Sequence, residues 1–189
     1  MHGRAAISSV LCRRLEGSQD WQTLNPEDPM STREFFIQRF KAERPAFVNV
    51  LRALPGDKLD YKPHERNSSA GDIAWFLVLE LRTLVNLLTK GEHHWEQPPN
   101  PNSTDAIVKE YEATADDMEK ALASADDAKW EQNGGLYFNG KLMKNSPIGE
   151  TLWDFLFDAI HHRGQLTAYL RPMGGKVPSV YGPTADSKG

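Results

Sequence analysis

Apolar residues at intervals of three and four divide this chain into four helical stretches. The first carries Phe35, Phe36, Phe40, Phe47, Val50, Leu51 and Leu54 up to Pro55-Gly56, with Ser31 and Glu34 spaced as a capping box at its start. Pro45 lies inside this run and predicts a kink. The second stripe, Ile73, Phe76, Leu77, Leu84 and Leu87, starts at Ser68 or Ser69 and stops at Gly91. The third opens at Ser103 and sets Ile107, Val108, Tyr111, Met118 and Leu122 among acids and lysines, so much of it faces water. The fourth takes Ser146 as its cap and Pro147 as its first helical residue. It runs through Leu152, Phe155, Leu156, Ala159, Leu166, Tyr169 and Leu170 and ends at Pro172.

The periodicity changes between the third and fourth helices. There GGLYFNGKLM, from Gly134 to Met143, reads as a hairpin, because Asn139-Gly140 favours a type I′ turn between apolar flanks. The Pro- and Asn-rich stretch from Gly91 to Asn102 reads as a connection. The expected fold is therefore all-α, a four-helix bundle with a short β-hairpin between helices three and four. The tail PMGGKVPSVYGP, Pro172 to Pro183, is too rigid in composition for a loose end. It is expected to pack back on the bundle or to reach a second subunit.

Composition narrows the function more than the fold. With 189 residues and 39% hydrophobic content, the chain suits one packed domain, taken as 30–189. Residues 1–29 carry Arg4, Arg13 and Arg14 and no acid before Glu16. They lack the apolar core of a secretory signal and read as an N-terminal arm or a start-site extension ahead of Met30. A net charge of −4 provides no basic field for nucleic acid. The apolar run Ile73–Leu79 is cut short by Glu80 and Arg82, which excludes a membrane span there. The single cysteine, Cys12, allows no internal disulfide and suits a reducing, cytoplasmic setting.

Polar residues on apolar stripes carry the candidate chemistry. Glu80 falls on the buried stripe of helix two. A carboxylate there must be paired, hydrogen-bonded, protonated or bound to metal. Arg163 and Arg82 are possible ion-pair partners, and a small rotation could bring Glu80 to solvent. On helix four, His162 lies on the core face and Asp158 one turn before it, the spacing at which two side chains can grip one ion. Gln165 flanks His162 on the next turn, while His161 points about 100° away toward a rim or solvent. His64 could cap helix two or line a pocket mouth, and His93 and His94 read as surface residues at that helix's C-terminus.

The segments LDYKPHERNSSAGDIAW, HHRGQL and PMGGKVPSVYGPTAD together resemble the DinB-like proteins over roughly Met30 to Asp186. The resemblance implies an up-down-down-up bundle, often a homodimer, with a divalent metal held by one histidine from helix two and an HxxxH pair on helix four. Carried over by position, the second histidine of the pair is His162, and Asp158 stands at the first. The helix-two position falls on Phe76, which cannot bind metal. Glu80, one turn later, is the expected substitute, so the expected ligands are Glu80, Asp158 and His162. The resemblance further implies Zn²⁺, Ni²⁺ or Fe²⁺, unless the metal site has been lost. It also implies a low-molecular-weight thiol and transfer to, or isomerisation of, a small electrophile. His161, Gln165 and Arg163 are the candidates for positioning the substrate, with pairing to a site carboxylate or holding helix four to its neighbours as the other roles open to Arg163. Two other readings stand beside this enzyme: a non-catalytic stress-response or binding bundle, and a purely structural polar cluster.

Overall fold

A computed structural model of the chain describes residues 30–188. The expectations for the arm, residues 1–29, lie outside the described residues. The first helix, α1, spans Thr32–Arg52, and Pro45 lies within it on the exposed side without ending it. A short 3₁₀ turn, Gly56–Lys58, leads toward α2, Ala70–Lys90. There the Ser69 hydroxyl accepts the Asp72 N–H, and Gly91 closes the helix in the left-handed conformation, φ 80°. α3 covers Thr104–Ser124 and is capped by Ser103, whose hydroxyl accepts the Ala106 N–H.

The expected hairpin forms from β2, Asn133–Phe138, and β3, Lys141–Pro147. Asn139 and Gly140 both have positive φ, 50° and 74°, as a type I′ turn requires. Three details differ from expectation. Residues Glu92–His94 form β1, which pairs in parallel with β2. This strand is short and polar, and its partner is distant in sequence, so no local alternation marks it. A one-turn helix, α4, occupies Asp127–Glu131 and buries Trp130 against Gly149. The final helix, α5, is Ile148–Leu170, with Pro147 rather than Ser146 at its cap. The sheet takes Ser146 into the ladder opposite Gly134, and its hydroxyl meets Thr151 Oγ1 at 2.9 Å.

The helix directions follow from end-to-end contacts. Arg33, at the start of α1, bonds to the Ala125 carbonyl just past the end of α3, and Thr104 at the start of α3 bonds to Leu54 just past α1. α1 and α3 are therefore antiparallel. Asn100, just before α3, meets Asp72 in the first turn of α2, so α2 and α3 start at the same end. Tyr169, at the end of α5, reaches the Ser68 carbonyl before α2. The order is up-down-down-up, and α5 packs between α1 and α2. The core is formed by Phe36, Leu51, Leu77, Leu87, Ile107, Met118, Leu152 and Leu166 among others. Phe35, expected on the apolar face, is half-exposed, because the core-facing stripe of α1 passes through Phe36 instead.

The chain from Gly91 to Ser103 travels the length of α2 on its way to α3. The Trp75 indole N–H pins it by donating to the Pro98 carbonyl at 2.9 Å. The C-terminal tail folds back on the bundle: Asp186 accepts from Arg171 and from the Val177 N–H, and Met173 is buried. Among the described residues, no helix is long and apolar enough to cross a membrane.

Candidate functional site

Glu80 projects from the middle of α2 and is only 2% exposed. On its inner side it faces an apolar wall that includes Phe40, Phe47, Leu77 and Tyr111. On its outer side lie Asp158 and His162 of α5. One ligand-type atom from each of the three residues lies within 4.8 Å of the others. Asp158 Oδ2 is 3.5 Å from His162 Nε2, an i,i+4 contact. Asp158 is half-exposed and His162 about one-fifth exposed, so the cluster runs from solvent into the core.

The electrostatics of this cluster are dominated by burial. Burial, with the Asp158 carboxylate beside it, pushes the Glu80 pKa up to about 10. Glu80 Oε2 is the one buried side-chain oxygen or nitrogen among the described residues without a hydrogen-bond partner. Neither arginine considered as a partner reaches it. Arg82 pairs with Glu110 at 2.6 Å and lies over the Trp75 ring. Arg163 pairs with Glu43 of α1 at 2.7 Å.

Gln165 holds the side of the His162 ring that faces away from Asp158. His162 Nδ1 meets Gln165 Oε1 at 2.8 Å. With the ring proton on Nδ1 and donated to that oxygen, Nε2 turns its lone pair toward Asp158. Phe76, one turn before Glu80, packs edge-on against the His162 ring at 5.2 Å and touches Trp95 on its other side. His161 is exposed, its ring 5.3 Å from that of His162.

Arg163 sits elsewhere than a substrate-positioning role requires. It is buried at 2% exposure, stacks over Phe47, and also donates to the Tyr181 hydroxyl, which itself donates to Glu43 Oε2 at 2.8 Å. Burial alone would raise the Glu43 carboxyl. Hydrogen bonds from Arg163, Tyr181 and Arg39 outweigh it and hold the pKa below the ordinary glutamate value. Glu43 went unremarked in the sequence, although it occupies the vacant place in the stripe Phe36, Phe40, Phe47, Val50. Of the other histidines, His93 is half-buried with Nδ1 2.9 Å from Asn86, His94 stacks on Tyr137, and His64 accepts the Arg66 N–H in a local turn.

A cleft of about 450 Å³ opens beside His162, toward the start of α2. Phe76, Trp75 and Pro98 give it apolar walls, and Ser68, Asp72 and Asn100 line its polar end. The crossing segment forms its outer wall.

Comparison with known proteins bears on the family and the fold. Residues 30–188 match the family model described as DinB family. The chain is 27% identical over 159 residues to the uncharacterized protein YrdA of Bacillus subtilis (strain 168), covering 82% of this chain and 91% of that one. A crystal structure of a DinB-like protein from Bacillus cereus ATCC 10987 has the same fold, with a TM-score of 0.66 at 22% identity. That match covers 78% of this chain and 97% of the other. The fold is also that of a mycothiol-dependent maleylpyruvate isomerase, with a TM-score of 0.52 at 12% identity, covering 79% of this chain and 62% of the isomerase.

Proposed function

This chain belongs to the DinB family, and on that premise we propose that it is a divalent-metal-dependent enzyme. Its reaction is transfer of a low-molecular-weight thiol to a small electrophile, or thiol-assisted isomerisation of one. Glu80, Asp158 and His162 are the ligands. The observation that carries this reading is the unpartnered Glu80 Oε2. A buried polar atom left without a hydrogen bond costs about 1–3 kcal/mol, and the groups facing Glu80 are the Asp158 carboxylate, which hydrogen-bonds its protonated form, and an imidazole. Two carboxylates and a neutral histidine form a donor set suited to Zn²⁺, Ni²⁺ or Fe²⁺. A bound cation would supply Lewis acidity, lowering the pKa of a thiol and polarising an electrophile.

The protein's own residues shape the rest of the site. With its proton on Nδ1, the His162 ring is anchored by Gln165 and turns Nε2 toward Asp158. Phe76 packs against His162 between the cluster and the cleft, while half-exposed Asp158 keeps the outer side open to a ligand. The cleft beside His162 admits the thiol, and His161 stands exposed next to His162.

Elemental analysis of chain purified without chelator tests this reading. The expected result is about one divalent ion per chain in the wild type and loss of it in His162→Ala. Metal-free wild-type protein would defeat the proposal. The second reading, a binding bundle without turnover, draws on one feature: Phe76 fills the helix-two ligand position. Thermal melting separates the two. At a hundredfold excess over Kd a bound ion adds about 2.7 kcal/mol of stability, which chelator removes, whereas the binding bundle melts identically with and without it.

A further inference from the structure

A second cavity, of about 170 Å³, lies between the sheet and the α2–α5 groove. Its lining is almost wholly apolar: Trp95, Leu136, Tyr137, Phe138, Met143 and Phe155. The polar side chains that reach it are already engaged. The Thr83 hydroxyl donates to the Leu79 carbonyl at 2.9 Å, and His93 Nδ1 is held by Asn86.

Position connects this cavity to the cluster described above. Thr83 is three residues beyond Glu80 on α2, and Phe155 is three residues before Asp158 on α5. The pocket therefore begins about one helical turn, roughly 5.4 Å, from the carboxyl pair on the sheet side. The larger cleft, apolar along its walls and polar at one end, begins one turn away in the opposite direction, at Phe76 and His162. Glu80, Asp158 and His162 stand between the larger cleft and this pocket.

We propose that the pocket beneath the β2–β3 hairpin is the subsite for the apolar part of the electrophilic substrate, a compact aromatic ring or branched alkyl group. Its place as the electrophile's subsite rests on the enzyme reading above. The size fits, since an apolar cavity of about 150 Å³ holds one benzene ring. The rim fits as well. Phe138 and Met143 are 50% and 62% exposed, which leaves apolar surface uncovered around the opening. The hairpin thereby becomes a determinant of specificity, with polar substituents directed toward the cleft.

The test is a ¹⁹F NMR titration of the full chain with fluorobenzene, alongside calorimetric titration with Zn²⁺. Saturable fluorobenzene binding is expected in the wild type. Leu136→Trp and Met143→Trp fill the pocket from different strands and should each weaken binding at least tenfold. Met143 is largely exposed, so its variant keeps the native fold, checked by far-UV circular dichroism, even if Leu136→Trp does not. Absence of saturable binding, or wild-type affinity in a folded variant, would overturn the proposal. Fluorobenzene binding without Zn²⁺ capture would support the subsite and overturn the metal reading. Zn²⁺ capture without fluorobenzene binding would do the reverse.

Discussion

A single protonated carboxyl sets the most informative pH dependence in this molecule. Glu80 has a pKa of about 10 in the fold against an ordinary value of 4.5. Between those values the folded chain keeps a proton that the unfolded chain releases, so stability falls as pH rises through that window. Glu80→Gln removes the penalty. In the presence of chelator the variant and wild type should have equal stability near pH 4. The variant should be the more stable above that, by at most about 3 kcal/mol at pH 7. Urea unfolding at pH 4, 7 and 8 measures this, and a pH-independent difference between the two would show that Glu80 is ionised in the fold. The substitution should also lower Zn²⁺ affinity, because the amide is a poorer ligand than the carboxylate. Stability gained together with metal binding lost is the signature of a functional group held at a structural cost.

Between elements, the buried Glu43–Arg163 pair holds α1 against α5, with Tyr181 of the tail closing over it. Glu43→Gln leaves the Arg163 guanidinium buried without its counter-charge. It should cost about 3 kcal/mol in denaturant unfolding, and adding Arg163→Met should restore a large part of that. If the single and double variants are equally unstable, the pair is not the linchpin of this contact. The helices were readable from the chain because their stripes repeat every three or four residues and their caps are local. Ser69, Ser103 and Gly91 act within one turn of their own positions. β1 and the partner of Arg163 were not readable, because each depends on a residue far along the chain, and α4 is too short to show a stripe although its Asp126 cap is local. Asp158 and His162 could be paired from i,i+4 spacing alone, whereas the approach of Glu80 depends on how α2 is rotated against α5. Glu43 did leave a trace, an acid in a gap between phenylalanines, and the same logic that singled out Glu80 applies to it.

At the scale of the whole bundle, α2 and α3 run in the same direction, so the link between them must return the full length of a helix. α2 is about 31 Å long, and residues 91–103 reach about 43 Å when extended. Removing Pro98, Pro99 and Asn100 leaves about 33 Å, nearly taut. The shortened chain should melt well below the wild type, and the tryptophan fluorescence of Trp75, which now donates to Pro98, should shift with it. An unchanged melting temperature would mean that the link has slack to spare. Two neighbouring helices joined by a tight reversal would leave the groove between α2 and α5 roofless. Here the obligatory return path is itself the roof, so the shelter over the cleft beside His162 comes from the winding order of the rods. A lineage that rewired that order would forfeit the chamber even with every polar side chain intact.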